Sequence, residues 1–225
     1  MLYTEDMVRQ NLRNREGKRV FYLAKGDILT SDARDFLTRE RIPVLDASEA
    51  KIEVFRLLGG GYVTEKPEHL THLQGNVLVR KDHPRIAFRG GMDTLQAEIL
   101  LCQNAVPPEV QKELQELLEL ARKIIRCEVL EEPLEQDTLC GLTEAQLRSH
   151  SHRPQDFYGK PHFMPEPTDG KTMLLVNLAR CKAREAELMA VKAFQDAEGL
   201  PTREDLLQAL NRLSSFLYLI MIELK

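Results

Sequence analysis

Apolar residues recur at helical spacing over the last third of the chain, residues 172–224, in two long runs separated by Gly199-Leu200-Pro201. In the first run Leu174, Leu175, Leu178, Cys181, Ala186, Leu188 and Met189 form the stripe expected to be buried. Thr202 is the expected N-cap of the second run, with Asp205 three residues on as its capping-box partner. That helix carries Asn211 and Arg212 before turning almost wholly apolar. Upstream, Val110, Leu114, Leu117, Leu118, Ala121, Ile124 and Ile125 predict a helix that opens on Pro108 and runs to about Val129. Pro107-Pro108 must stop the preceding helix near Asn104, and this one is expected to start near Asp93 and to bury Leu95, Ile99 and Leu100. Thr143 caps a short helix ending near Arg148, and residues 150–170 read as an irregular loop rich in proline, histidine and aromatics.

The N-terminal part has a different grain. Residues 19–23 and 42–45 are short strand candidates, with Gly26-Asp27 as a turn. Between them Thr30 or Ser31 caps a helix through Ala33, Phe36 and Leu37. Gly59-Gly60-Gly61 breaks the chain and suits a linker better than a phosphate loop, since no GK[ST] follows it. Next comes a strand–turn–strand ribbon: Leu73, then Gln74-Gly75-Asn76, then Val77-Leu78-Val79, with Lys81-Asp82-His83-Pro84 as a second turn and Gly90-Gly91 as its end. The expected fold is therefore mainly α: an antiparallel four- or five-helix bundle over residues 61–225, preceded by the β-ribbon. Residues 1–60 form a small α+β appendage.

Composition narrows the function classes. With 225 residues, 29% charged and a net charge of −4, the chain can bury a sizeable core but carries no electrostatic footprint for nucleic acid. Cys102, Cys127, Cys140 and Cys181 are scattered and read as reduced core thiols. No signal-like segment precedes the first charges, and the C-terminal apolar run is too short to span a bilayer, so a cytoplasmic protein without membrane partners is expected.

Set within the first C-terminal stripe, Arg180, Arg184 and Glu187 follow one another at steps of four and three. That spacing stacks them on one side of a helix, where two guanidinium groups and a carboxylate can converge on one site. Taken alone, the same charges would suit a solvated helix face. His150, His152 and His162 read as loop histidines, because no carboxylate or cysteine completes a metal set around them.

Residues 66–93, Arg180-Cys181-Lys182-Ala183-Arg184-Glu185-Ala186-Glu187 and Leu210-Asn211-Arg212-Leu213-Ser214 together resemble the PduO-like ATP:cobalamin adenosyltransferases, and the whole chain looks closest to their ethanolamine-utilisation branch, EutT. The resemblance implies a five-helix-type bundle that moves the 5′-deoxyadenosyl group of ATP to reduced cobalamin and releases triphosphate, with Mg2+ arriving on ATP. It also implies a homo-oligomer, a trimer with sites between subunits or alternatively a dimer. A reductase or a bacterial microcompartment partner is implied by the same context.

The resemblance assigns residues as well. Lys66 matches the triphosphate lysine. The family's glycine-rich phosphate loop is replaced by Pro67-Glu68-His69-Leu70-Thr71-His72, so Thr71 with His69 and His72 would contact phosphate in its place. The G-G-x-x-V-x-K-D-x-P-R ribbon reads here as residues 75–85 and ends on Arg85. Asp93 matches the aspartate that would pair with Arg184 across a subunit boundary. The R-R-A-E-R signature reads Arg184-Glu185-Ala186-Glu187-Leu188, which shifts weight to Arg180 and Arg184. Asn211 would hydrogen-bond nucleotide, and Arg212 would pair with a carboxylate such as Glu187. Phe163, with Phe157 and Tyr158 as alternatives, matches the aromatic wedge under the corrin. The His-then-clustered-cysteine motif of some relatives is missing, so no protein-held metal is expected. The altered phosphate loop and lost arginines leave a second reading, a nucleotide- or corrinoid-binding chaperone or sensor without turnover.

Overall fold

A computed structural model describes residues 1–15, 17–47 and 55–225; residues 48–54 of the expected appendage lie outside the described residues. The chain forms two compact units, Met1–Phe55 with Tyr62–Glu65 and Arg56–Gly61 with Lys66–Lys225.

In the first unit the strand Lys18–Leu23 lies between Arg13–Arg15, antiparallel, and Val44–Asp46, parallel. Two short helices accompany it, α1 (Glu5–Gln10) and α2 (Ser31–Arg39). Thr30 supplies the α2 cap, its hydroxyl accepting the Ala33 N–H at 3.3 Å. Val8, Phe21, Ala33, Phe36 and Leu37 make the small core.

The second unit opens on a hairpin in which Leu70–Gln74 pairs antiparallel with Val77–Arg80, Thr71 opposite Val79. Gly75 makes the turn at φ +52°, a left-handed conformation that glycine adopts without a Cβ penalty. Six helices follow: α3 (Pro84–Gln103), α4 (Pro108–Leu130), α5 (Glu144–His152), α6 (Pro154–Tyr158), α7 (Gly170–Ala193) and α8 (Glu204–Leu224). α3 packs along α7, α7 along α8, α8 against α4 and α4 against α3, closing a ring around one core; α5 lies on α8. Among the described residues no helix is long and apolar enough to cross a membrane.

Several expectations are corrected. α3 starts at Pro84, not near Asp93. His83 is its N-cap, accepting the Arg85 N–H at 3.2 Å, and Gly90-Gly91 lies inside the helix. Gly91 packs against α7: a Cβ would sit 2.6 Å from the Met189 sulfur, so a larger residue there would make that side chain shift.

The buried face of α7 is Met173, Val176, Ala179, Ala183, Ala186 and Ala190, a small-residue face that lets α3 and α8 come close. Leu174, Leu178 and Leu188, expected in the core, are 39%, 40% and 70% exposed, and Leu100 of α3, expected to be buried, is 44% exposed. α8 lacks the Thr202 cap: Arg203 precedes it with no side-chain cap bond, and Asp205 instead accepts the Leu134 N–H at 2.8 Å and a bidentate contact from Arg203. α5 does carry its predicted Thr143 cap, completed as a box by Gln146, but extends to His152. His150 and His152 therefore stand on a helix rather than in a loop.

Candidate functional site

The ribbon and the start of α3 hold one set of predicted residues. Lys66 Nζ donates to the Leu70 carbonyl at 3.4 Å, and a His72 ring nitrogen lies 3.0 Å from the Gly75 carbonyl. Thr71 sits mid-strand between them. Arg85 is committed elsewhere: its Nε donates to Glu128 at 2.6 Å and its Nη2 to the Glu128 carbonyl at 3.0 Å. Arg89 closes on the same carboxylate at 2.6 Å and also donates to the Leu73 carbonyl at 2.8 Å. Glu128 is fully buried, so two guanidinium groups neutralise a charge that water cannot reach, and Arg89 straps the ribbon to α3 and α4. Beside this clamp, burial, followed by the Arg85 and Arg89 charges, pushes His83 below the usual imidazole range, which favours the neutral ring that caps α3.

A second set converges in an open cavity of about 400 Å³ lined by Arg180 and Arg184 of α7, Asn211, Ser214, Ser215 and Tyr218 of α8, and Ser151, His152 and His162. No carboxylate lines it. Arg180 is held by the amide oxygen of Asn177, at 3.2 and 3.1 Å, and lies 6.0 Å from the Tyr218 ring centroid. Arg184 is exposed and makes no ion pair or hydrogen bond among the described residues. Asn211 donates to Glu187 at 3.2 Å, which fixes its amide beside the arginines. Ser214 and Ser215 both donate to the Asn211 carbonyl, at 3.0 and 2.9 Å. Two unneutralised guanidinium groups, an oriented amide and hydroxyls suit a polyanion.

Arg212 is the correction in this group. It turns away from Glu187 and pairs with Glu144 of α5 at 3.0 Å, lining a separate small cavity. Asp93 is exposed on α3 and meets no cation among the described residues. Lys66, Thr71, His72 and Arg85 are absent from the cavity wall, so one chain assembles Arg180, Arg184, Glu187 and Asn211 but not the ribbon residues.

Phe163 reaches this cavity through Tyr218. The two rings stack with centroids 6.0 Å apart, and the Phe163 N–H donates to the Tyr218 hydroxyl at 3.3 Å. Phe157 instead stacks on His150 at 3.9 Å, and the Tyr158 hydroxyl lies 3.1 Å from the same ring. Tyr218 was legible only as helix periodicity: with Asn211 and Ser214 or Ser215 it repeats at three- and four-residue steps on one face of α8. Glu128, a lone acid within an otherwise apolar α4 face, carried a similar signal. Burial pushes Cys102 up to about 12 and Cys140 higher, leaving unreactive thiols. Among the described residues no group of three or more His, Cys, Asp or Glu gathers to hold a metal ion.

Residues 61–224 match the cobalamin adenosyltransferase family model. The corrinoid adenosyltransferases EutT of Salmonella typhimurium and of Escherichia coli K12 are each 36% identical over 160 residues, 71% of this chain and 60% of each relative's length. Among solved structures, a variant PduO-type ATP:corrinoid adenosyltransferase from Lactobacillus reuteri, complexed with cobalamin and ATP, is 16% identical and covers 77% of this chain and 89% of its own, at a TM-score of 0.47, a likeness too slight to carry an argument. On the family match, which takes in the ribbon and every helix from α3 to α8, the chain belongs to the cobalamin adenosyltransferase family.

Proposed function

We propose that the chain transfers the 5′-deoxyadenosyl group of ATP to reduced cobalamin, forming adenosylcobalamin and triphosphate. The observation that carries this reading is the pair of guanidinium groups, Arg180 and Arg184, facing one cavity without a carboxylate in its wall. In the reaction the cobalt(I) electron pair forms the bond to C5′ while the C5′–O5′ bond breaks and its electrons leave on triphosphate. Little proton transfer is needed; the protein's tasks are to align the reactants and to stabilise the departing negative charge. Arg180 and Arg184 take the second task, and Asn211 orients the nucleotide. Phe163, shelved beside Tyr218, would displace the lower ligand of the corrin. Magnesium would come bound to the phosphates of ATP.

The working unit would be the ring of α3, α4, α7 and α8 with α5 on its flank, an adenosyltransferase-type antiparallel bundle of four or five helices, and residues 1–60 its appendage. A second copy of the chain would complete the site. The leucines that α7 leaves outside, Leu174, Leu178 and Leu188, together with Leu100 and Leu101 of α3, 44% and 54% exposed, supply an apolar face for it. Such a copy would bring Asp93 to Arg184 and the ribbon residues Lys66, Thr71 and His72 to the phosphates, with a trimer favoured over a dimer. The setting would be cytoplasmic, with a reductase or a microcompartment as partner.

The test is an assay with ATP and chemically reduced cobalamin. Conversion to the adenosyl form with stoichiometric triphosphate is expected. Tight binding of both compounds without conversion would overturn the reading in favour of a non-catalytic binding protein.

A further inference from the structure

Residues 159–166, between α6 and a short 3-10 turn (Pro167–Asp169) that leads into α7, carry Phe163 yet have no regular structure, so something must set the position of that ring. Three contacts do, and all of them come from α8 and the residue that follows it. Lys160 Nζ donates to the Ile222 carbonyl at 2.9 Å, Lys225 Nζ lies 5.2 Å from the Phe163 ring centroid, and the Tyr218 hydroxyl accepts the Phe163 N–H at 3.3 Å. The last contact belongs to a longer chain. His162 Nδ1 lies 3.0 Å from the Tyr218 hydroxyl, and its Nε2 lies 3.2 Å from the His152 carbonyl.

The directions of these bonds follow from valence. A carbonyl only accepts, so His162 Nε2 carries the proton. In the neutral ring Nδ1 is then an acceptor, and the Tyr218 O–H donates to it while its oxygen accepts from Phe163. Each polar atom in the chain is satisfied once. An imidazolium would place two donors on the Tyr218 oxygen and leave the phenol proton without a partner. The rings add shape: His162 stacks on Tyr218 with centroids 5.7 Å apart at 15°, and Arg180 sits on the same tyrosine at 6.0 Å.

We propose that Tyr218 and His162 are positioning residues, a hydrogen-bonded latch that sets the height of the Phe163 ring relative to the Arg180 guanidinium. The proposal rests on the adenosyltransferase reading for its consequence, but not for its geometry. Asn211 and Tyr218 lie on one rigid helix, so the nucleotide-orienting amide and the latch keep a fixed spacing. Ring stacking alone would leave Phe163 free to slide along Tyr218; the hydroxyl removes that freedom. Catalysis that needs the lower face of the corrin filled would then depend on a phenol that acts through the Phe163 ring rather than on cobalt.

Tyr218→Phe keeps the ring and removes the latch. Expected is kcat down about tenfold, the effect of losing a pair of neutral hydrogen bonds, with the unfolding midpoint lowered only slightly. The fraction of bound cob(II)alamin lacking its lower ligand, read from its absorption spectrum, should fall with kcat. His162→Gln can accept from Tyr218 through its amide oxygen and donate to the His152 carbonyl, so it should lose several-fold less than His162→Leu. A third readout does not need turnover: amide exchange at Phe163 should accelerate about tenfold in Tyr218→Phe. If the wild-type chain failed to adenosylate cobalamin, the functional reading would fall while Phe163 exchange still decided the latch, faster exchange upholding it and equal exchange overturning it. In an active enzyme, corrinoid spectra identical in wild type, Tyr218→Phe and His162→Leu would overturn the positioning role.

Discussion

Two arginine pairs occupy the bundle at the same four-residue spacing, Arg85 with Arg89 on α3 and Arg180 with Arg184 on α7. Their settings are opposite. The α3 pair closes on Glu128, which is fully buried, and its remaining donors reach backbone carbonyls and the Glu131 carboxylate. Among the described residues the α7 pair faces a cavity with no acid in its wall, and its members are held by an amide or by no partner. Spacing brings two guanidinium groups together in both cases. The residue on the facing helix decides whether they become a structural clamp or an anion site.

The largest effect should come from the open pair. Arg184→Ala is expected to lower kcat/KM about a thousandfold, roughly 4 kcal/mol of transition-state stabilisation, while the unfolding free energy stays within about 0.5 kcal/mol. Steady-state kinetics alongside urea unfolding checks both halves. If stability fell and activity did not, the two pairs would be alike.

Glu128→Ala should show the reverse pattern. Leaving two half-buried arginines without their carboxylate is expected to destabilise the chain by about 3 kcal/mol, seen as an earlier urea midpoint. ATP affinity of the remaining folded protein should hardly change. A variant as stable as wild type would mean that the clamp contributes nothing.

Carboxylates without a cation sharpen the contrast. Burial first, then the charges of Glu223 and Glu116, push Glu113 up to about 7, and its Oε2 is buried without a partner. A carboxyl raised in the folded state favours folding below its unfolded value near 4.5, and that contribution is lost as pH rises through about 7. Glu113→Gln should therefore stabilise the chain at pH 8 to 9 by about 2 kcal/mol and make no difference near pH 4. Melting curves across that range would show no convergence at low pH if Glu113 were not the titrating group.

The smallest effect serves as a control. Thr143→Ala removes the capping box of α5 and is expected to cost about 1 kcal/mol of stability with unchanged ATP affinity. An affinity loss larger than the stability loss would show that α5, which brings Ser151 and His152 to the cavity, takes part in binding.

Helical periodicity made α4 and α8 legible, because each packs a broad apolar face that differs plainly from its surface. It misled on α7, where the core face is alanine and the leucines face outward; a chain that buries small residues against close neighbours inverts the usual reading. Gly90-Gly91 read as a terminator, because a glycine inside a helix facing a neighbour such as Met189 and a glycine used as a breaker look the same in sequence. Arg180, Arg184, Glu187 and Asn211 could be grouped from spacing and resemblance, and the structure brings them together in one chain. The true partner of Arg212 could not be read, since Glu144 lies sixty-eight residues away on α5. Tyr218 was hidden for a related reason: its hydroxyl acts on a loop whose path the local sequence does not specify.

The open arginine pair can be tested without any corrinoid. Calorimetric titration of ATP onto the wild-type chain and Arg184→Ala, with unfolding curves on the same samples, measures whether those guanidinium groups face phosphate. Affinity should fall about tenfold or more in the variant at equal stability, the loss of one charge-assisted contact to phosphate. Equal affinity in the two proteins would contradict the assignment of the α7 cavity to the nucleotide.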